Sequence, residues 1–150
     1  MTYTYDANNN MLSRVYDNDA DGNTDEVEEY TYDENGNILT EHVDEDGDRI
    51  WDDIRTYTYD ANNNRLTESY DSDADGHPNV VYIYTYDSHN NSLTEGIDLD
   101  MDGIVDQVDT FSYIYDSHGN IVTQNNDIST DGIIDRVLTY TWEAFSNCAQ

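Results

Sequence analysis

A tandem repeat with a period of 27 residues limits the fold of this chain more than any other feature. The pattern Tyr-Thr-Tyr-Asp begins at Tyr3, Tyr30, Tyr57 and Tyr84, and it returns as Tyr-Ile-Tyr-Asp at Tyr113 after a step of 29 residues. A period of this length indicates one supersecondary unit that stacks on copies of itself. We therefore expect a single domain built from repeat units 3–29, 30–56, 57–83, 84–112 and 113–139, followed by a terminal half-repeat 140–150.

Each repeat unit has the pattern of β-strands joined by short turns. Tyr-Thr-Tyr alternates aromatic and β-branched residues, which is typical of a strand. The Asp that follows opens a hairpin turn, and the fourth turn residue is always Asn or Gly, the residues that best tolerate a left-handed backbone. A second strand then carries Leu or Val at one fixed position, which we expect to face the core, while the Ser or Thr after it faces the other way.

These patterns predict an all-β fold without helices. The expected architecture is an antiparallel meander of about eleven short strands, rolled into a barrel-like or superhelical sheet. The hairpin turns lie at one end of the strands, and the tyrosines of successive repeats share one face. The two extra residues of the fourth unit follow Asp106 and predict a longer strand or a bulge.

A nine-residue acidic segment follows the second strand of each of the first five units. In the first copy, 17–25, Asp occupies positions 1, 3, 5 and 9 and Gly22 occupies position 6. The same frame recurs at 44–52, 71–79, 98–106 and 127–135, and 18 of the 34 acidic residues stand at its four carboxylate positions, so the repeat concentrates the charge there. Calcium takes six to eight oxygen ligands with irregular geometry, and such a loop offers side-chain oxygens plus the carbonyl of position 7.

The spacing therefore predicts up to five Ca²⁺ sites. The predicted ligands are Asp17, Asp19, Asp21, Asn23, Asp25, Asp44, Asp46, Asp48, Ile50, Asp52, Asp71, Asp73, Asp75, His77, Asn79, Asp98, Asp100, Asp102, Ile104, Asp106, Asp127, Ser129, Asp131, Ile133 and Asp135. Three departures predict weaker binding: Arg49 at the glycine position, Asn79 at position 9 and Ser129 at position 3. The first and fourth loops are complete.

Composition excludes several classes of function. With 5 basic and 34 acidic residues the formal charge is -29, which argues against nucleic acid and against anionic membranes as partners. No stretch is apolar enough for a membrane span. The four histidines, His42, His77, His89 and His118, have no shared nucleophile partner in the pattern, so we expect no enzymatic activity.

Two family resemblances carry further expectations. The segment Tyr32 to Thr40, Tyr-Asp-Glu-Asn-Gly-Asn-Ile-Leu-Thr, resembles the YD repeats of the Rhs family, which implies an extracellular or cell-surface bacterial protein whose hairpins wind into a spiral sheet. The acidic segments resemble the DxDxDGxxD loops of FG-GAP repeats and the first half of an EF-hand loop, which implies calcium sites in hairpins. The Glu of an EF-hand at position 12 has no regular counterpart here.

Two functional hypotheses follow from the sequence. The first is a calcium-stabilised extracellular structural protein, a subunit of a homopolymeric fibre in which copies of the chain pair head-to-tail through their edge strands. The alternative is a carbohydrate-binding or adhesive module of a larger bacterial surface protein, with glycans contacted by exposed Tyr, Asn and Thr.

Overall fold

The computed structural model describes residues 1–128 and 131–142, which form one antiparallel sheet. Its strands pair in chain order from one edge to the other. The strands are β1 Thr2–Tyr5, β2 Met11–Tyr16, β3 Glu26–Tyr32, β4 Ile38–Asp44, β5 Asp53–Tyr59, β6 Arg65–Asp71, β7 Val80–Tyr86, β8 Ser92–Asp98, β9 Gln107–Tyr115, β10 Ile121–Asp127 and β11 Arg136–Thr139. The predicted all-β meander of about eleven strands is confirmed, and no helix occurs in the described residues.

The sheet is open. Within the described residues, β1 pairs only with β2 and β11 pairs only with β10, so the strands do not close into a barrel. The expectation of a barrel-like closure therefore does not hold, whereas a curled open sheet remains compatible with the strand order.

Pairing registers give the sheet two chemically different faces. Tyr30 lies opposite Glu41, while the next residue, Thr31, lies opposite Thr40 on the other side. The same alternation runs through the repeats and puts all 14 tyrosines on one face, which we call the tyrosine face. The opposite face, the threonine face, carries hydroxyl pairs such as Thr31–Thr40, whose oxygens are 2.7 Å apart. The predicted common face for the tyrosines is thus confirmed.

The tyrosine face is stabilised by polar contacts rather than by aliphatic packing. The guanidinium of Arg65 lies 5.0 Å from the ring centre of Tyr84 and 5.9 Å from that of Tyr57, which is cation–π distance. Arg55 donates to Glu41 at 3.2 Å, and Arg14 pairs with Glu28. Long arginine stems and tyrosine rings therefore cover one another across neighbouring strands.

No hydrophobic side chain of the described residues is buried, and this corrects the expectation that the Leu column faces a core. Leu12, Leu39 and Leu66 remain 37–39 % exposed, because a single sheet has no second layer against which they can pack. The buried charged or polar residues are instead carboxylates. They are Glu28, Asp44, Asp53, Asp71, Asp98 and Asp127.

The hairpin turns have the predicted form. In the first, the N–H of Asn9 donates to the carbonyl of Asp6 at 3.2 Å, and the Asp6 side chain accepts the N–H groups of Asn8 and Asn10. The fourth turn residue is left-handed in every copy, with φ between 64° and 86°. Each turn is followed by a register shift where two residues of the second strand face one of the first, which is the bulged hairpin that such turns form.

Successive hairpins are displaced along the strand direction. Thr40 faces Thr31, two residues before Asp33, on one side and Thr56, four residues before Asp60, on the other. Each turn therefore projects two residues, roughly 7 Å, beyond the preceding one. This regular stagger tilts the strands relative to the line of turns.

The stagger doubles at the fourth repeat. Thr94 faces Thr85, two residues before Asp87, but also Thr110, six residues before Asp116. The two extra residues thus lengthen β9 to nine residues, which confirms the longer strand rather than the bulge as the sequence prediction. They also move the fifth turn four residues past the fourth. We call this displacement the register step.

Candidate metal centres

Five acidic loops join the strands at the end of the sheet opposite the hairpin turns. Each loop is closed by its ninth residue, whose N–H donates to the carbonyl just before position 1, as in Asp25 to Tyr16 at 2.9 Å. The side chain of the ninth residue accepts the N–H of position 2, with Leu99 to Asp106 at 2.6 Å as an example. In the third loop the amide oxygen of Asn79 accepts the N–H of Ser72 in the same way, so this loop closes without a carboxylate at position 9.

The first aspartate of each loop is the anchor on which the loop folds. Asp44 is 1 % exposed and accepts the N–H of Gly47 at 2.7 Å and that of Arg49 at 2.9 Å. Asp98 does the same for Met101 and Gly103, at 2.8 and 3.1 Å. Backbone donors that point inward at a buried carboxylate stabilise its charged form and draw the loop around it.

Two positions, not one, are left-handed in each of the first four loops. Position 6 is left-handed as predicted, including Arg49 with φ 73°, where the positive φ of a bulky side chain costs on the order of 1 kcal/mol. Position 4 is also left-handed, at Ala20, Gly47, Ala74 and Met101, and the sequence interpretation missed it. Ala and Met carry no signal for a positive φ, and only Gly47 hints at one.

The loops bring the predicted carboxylates together. Four triplets have oxygens that all lie within 4.8 Å of one another, and each contains positions 1 and 3 of its loop. The triplets are Asp17–Asp19–Asp25, Asp44–Asp46–Asp48, Asp71–Asp73–Asp75 and Asp98–Asp100–Asp106. In the fifth loop Ser129 lies outside the described residues, so that loop is described only in part.

The other predicted ligands lie in the same loops but outside these triplets. The carboxylate or amide positions are Asp21, Asp52, Asn79, Asp102, Asp127, Asp131 and Asp135. The residue at position 7 was predicted to bind the metal through its backbone carbonyl oxygen. Its N–H donates to the carboxylate of position 5, at 2.7–2.8 Å in all five loops. These residues are Asn23, Ile50, His77, Ile104 and Ile133. The bond turns the chain so that positions 5 and 7 stay side by side.

Two of the anchoring aspartates have an oxygen without a partner. Asp71 and Asp127 are 5 % and 7 % exposed, and in each the Oδ1 atom is buried with no hydrogen bond from the described residues. The other oxygen, Oδ2, accepts a loop N–H, from Gly76 at 2.9 Å and from Gly132 at 3.0 Å. A buried carboxylate oxygen without a donor is costly, and a bound cation would satisfy it.

The third loop shows the electrostatic consequence of crowding. The hydrogen bond to Asp71 raises the pKa of the Asp73 carboxyl, and burial and the charge of Asp75 add to the rise. Burial pushes the pKa of Asp71 upward too, but hydrogen bonds, led by that from the Gly76 N–H, outweigh it and lower the pKa. A divalent cation would offset the repulsion between these neighbouring carboxylates.

In the second and fourth loops the residue at position 8 folds back over the threonine face and contacts the sheet. Trp51 packs edge-on against His42, with ring centres 5.2 Å apart. Val105 lies over Gly96, and a Cβ added to Gly96 would be 2.9 Å from the Cγ1 of Val105. Neighbouring loops also touch, because a Cβ on Gly47 would be 2.0 Å from the carbonyl oxygen of Thr24 in the first loop.

The donor set is made of oxygen only. Carboxylate and carbonyl oxygens suit hard divalent cations such as Ca²⁺, Mg²⁺ and Mn²⁺, whereas zinc sites in proteins use thiolate and imidazole. Several aspartate triplets of this chain are thus arranged so that they could hold a metal ion.

Comparison with known proteins identifies one family in part of the chain. No curated protein matches the sequence. No helix in the described part of the chain is long and apolar enough to cross a membrane. The loops' resemblance to FG-GAP and EF-hand loops stays a prediction. Residues 32–78, which run from the second hairpin turn through the second and third acidic loops, match the family model named RHS Repeat, as the YD-repeat pattern predicted.

Proposed function

We propose that the protein is a calcium-stabilised structural protein of the extracellular space or cell surface, and that its acidic loops bind Ca²⁺. One observation carries the proposal: carboxylates are brought within 4.8 Å of one another in loop after loop, in a sheet with no buried hydrophobic side chain among the described residues. The sheet lacks the apolar core that holds most domains together. Ion binding would convert the repulsion between the loop carboxylates into a folding force.

The magnitude is sufficient to decide folding. A cation present at 10 to 100 times its Kd adds about 1.4–2.7 kcal/mol per site when it binds only the folded chain. Several occupied loops would together match the whole stability of an ordinary domain, about 5–15 kcal/mol. Extracellular calcium would supply this ion, and the RHS Repeat match at residues 32–78 agrees with a bacterial surface location.

Thermal unfolding with and without calcium tests the proposal. We expect a chelator to lower the melting temperature, measured by circular dichroism, by tens of degrees. Addition of Ca²⁺, but not of Mg²⁺, should restore it. Magnesium demands six ligands in near-octahedral geometry and gives up its water reluctantly, so the irregular loop suits it poorly. An equal melting temperature in chelator and in calcium would contradict the proposal.

Terbium luminescence separates loop binding from a general effect of salt. Trp51 lies in the second loop and the only other tryptophan is Trp142, so Tb³⁺ bound there should be sensitised by Trp51 under excitation that tryptophan absorbs and tyrosine does not. We expect Asp46→Asn to weaken the luminescence titration at least tenfold, and Trp51→Phe to remove the sensitised signal while the melting response to calcium persists. Luminescence that is unaltered in Asp46→Asn would count against this loop as a site.

We further propose that copies of the chain assemble head-to-tail. In the described residues β1 and β11 each have one paired neighbour, and the backbone groups of an open edge are a template for another strand. Because the two edges differ, pairing between them generates an open filament rather than a closed dimer. Sedimentation velocity in calcium should show concentration-dependent polymers.

An edge variant provides the control for this assembly. Val137 in β11 is 57 % exposed, and Val137→Lys should shift the protein towards monomers because a lysine on an edge strand opposes pairing. Its effect on net charge alone would act in the opposite direction, because a less negative chain repels its copies less. Ala61→Lys, at an exposed residue of the third hairpin turn, makes the same charge change away from the edges and the acidic loops and should leave assembly intact. A monodisperse monomer of the unmodified chain at high concentration would refute the filament.

The alternative, a glycan-binding module, has less support on the tyrosine face. Several tyrosine hydroxyls there already donate within the protein, as Tyr32 does to Met11 at 2.7 Å and Tyr86 does to Arg65 at 2.8 Å. A glycan array in the presence of calcium distinguishes this alternative, since a structural protein should give no saturable signal.

A further inference from the structure

A cleft of about 370 Å³ opens at the register step, on the hairpin-turn end of the sheet. It is lined by His89 and Asn91 of the fourth turn, by Tyr115 at the end of β9, and by Trp142 beyond β11, with Asn120 between them. Trp142 is 59 % exposed, and its indole N–H is held by the carbonyl of Ile121 at 2.8 Å.

The cleft depends on the doubled stagger. In regular repeats the second tyrosine of the strand donates to a backbone carbonyl 21 residues earlier, as Tyr86 does to Arg65. At the step, Tyr113 makes that bond to Ser92, and Tyr115 is carried two residues further, over the fourth turn. There its ring stacks on His89 with centres 4.3 Å apart and planes 24° from parallel.

The amide contacts that join the second turn to the third and the third turn to the fourth are also missing at this place. The Nδ2 of Asn37 donates to Asn63 at 2.8 Å, and that of Asn64 donates to Asn90 at 2.9 Å. The equivalent partner of Asn91 would be Gly119, which has no side chain, and Asn91 donates to the Tyr115 hydroxyl instead at 2.7 Å. The gap between the fourth and fifth turns is therefore left open and bordered by aromatic rings.

Several donors at the cleft are engaged within the protein. The Nδ2 of Asn120 donates to Asp116 at 2.9 Å, the Tyr115 hydroxyl donates to Asp87, and the Trp142 N–H donates to Ile121. The carboxylates of Asp87 and Asp116 thus lie directly behind the cleft residues Tyr115 and Asn120. Hydrogen bonds, led by that from the Asn120 side chain, lower the pKa of Asp116. Burial pushes the pKa of Asp87 upward, but hydrogen bonds, led by that from the Tyr115 hydroxyl, outweigh it and lower the pKa.

We propose that this cleft binds an organic cation of the alkylammonium type. Ring faces attract ammonium groups, most strongly at Trp and Tyr, and the carboxylates of Asp87 and Asp116 favour a positive charge nearby. A chain with a formal charge of -29 also raises the local concentration of cations.

Choline and its neutral isostere 3,3-dimethylbutan-1-ol test the proposal directly. Both are titrated by calorimetry in excess calcium, so that the acidic loops are occupied, and at constant ionic strength. Trp51→Phe leaves Trp142 as the single tryptophan, and its emission should change saturably with choline. We expect the isostere to bind at least tenfold more weakly. A lysine derivative blocked at both ends then distinguishes a free quaternary ammonium ligand from a lysine side chain of a polypeptide.

Two variants show whether the cleft is the site. Deletion of residues 107–108 restores the 27-residue period and the regular stagger, and it should abolish choline binding while the β-sheet circular dichroism spectrum persists. Trp142→Leu should weaken binding at least tenfold, whereas Trp51→Leu should not change it. Equal binding of the isostere, unchanged binding in Trp142→Leu, or a stronger saturable response to a neutral oligosaccharide would overturn the proposal.

Discussion

Carboxylates take the buried positions that apolar side chains occupy in most domains. The anchor Asp44 accepts two loop N–H groups and is almost inaccessible to water, so its negative charge is held by backbone dipoles. Hydrogen bonds donated to ionised acceptors are stronger than neutral ones, at about 1.5–3 kcal/mol each. The arrangement prepares each loop for a cation without a core beneath it.

Glycine is needed in these loops for two separable reasons. Gly22 has φ 91° and nothing within 4 Å of a Cβ, so only its backbone angle requires glycine. Gly47 has φ 72° and also lies against the carbonyl of Thr24, so its missing side chain is required as well. The second reason couples the first loop to the second.

Gly47→Ala should therefore destabilise the protein more than Gly22→Ala. Both substitutions carry the cost of a left-handed alanine, about 1–2 kcal/mol, but only the first forces two loops apart, which adds about 1–3 kcal/mol as overpacking does elsewhere. Denaturant unfolding in calcium measures the difference between the two variants. Equal losses would show that the loops do not press on each other.

At the scale of the elements, each hairpin is fixed by its turn and by the tyrosine face. The Asp that opens a turn accepts several backbone N–H groups, and Asn37 extends this by bridging Asp33 to the next turn. Across the strands, tyrosine rings alternate with arginine and carboxylate groups. Such a layer resists opening because cross-strand contacts, as between Arg65 and the rings of Tyr57 and Tyr84, join neighbouring strands.

Alkaline titration tests the tyrosine layer. Burial raises the pKa of Tyr57 to about 12, with the charges of Glu41 and Glu68 adding to the rise, and burial and the bond to Asp87 raise that of Tyr115 to about 12. Tyrosine in an unfolded chain titrates near 10. Because the folded state holds these protons more tightly, their contribution to stability is complete below about pH 10 and is lost as the pH rises towards 12.

The measurement is the absorbance of tyrosinate in the near ultraviolet. We expect one high-pH transition to disappear in Tyr57→Phe, and Glu41→Gln to move the Tyr57 transition towards its ordinary value. Uniform titration of all tyrosines near 10 in the folded protein would contradict the layer.

For the whole molecule, the sheet is a one-dimensional array. Among the described strands, contacts between elements join only consecutive strands, so stability should be a sum of repeat and nearest-neighbour contributions. The register step divides this array into repeats with regular stagger on either side.

Local loss of one loop should accordingly stay local. Asp100→Asn, which removes a carboxylate of the fourth triplet, should speed amide hydrogen exchange in β8 and β9 and leave β2 and β3 unchanged. Leu99→Asn changes an exposed, non-ligand residue of the same loop and serves as the matched control. Exchange that rises across all strands would instead indicate one cooperative unit.

Local features of this fold could be predicted from the sequence because they depend on residues close together in the chain. Alternating Tyr and Thr predicted the strands and their faces, and Asp followed by Asn or Gly predicted the bulged turns. The spacing of Asp17, Asp19 and Asp25 predicted that their carboxylates converge. The left-handed backbone at Ala20 and Met101 escaped prediction because these side chains usually avoid it.

The sequence alone thus determined the strands, the turns and the acidic loops, since a few neighbouring side chains and backbone groups specify each of them. Tertiary structure alone decided how one hairpin meets the next: the two-residue stagger, its doubling at β9, the open edges and the single uncovered layer. These features depend on the difference between two pairing registers of one strand: the register set by the hairpin turn before it and the register set by the acidic loop after it. That difference arises only when both ends of a strand are paired at once.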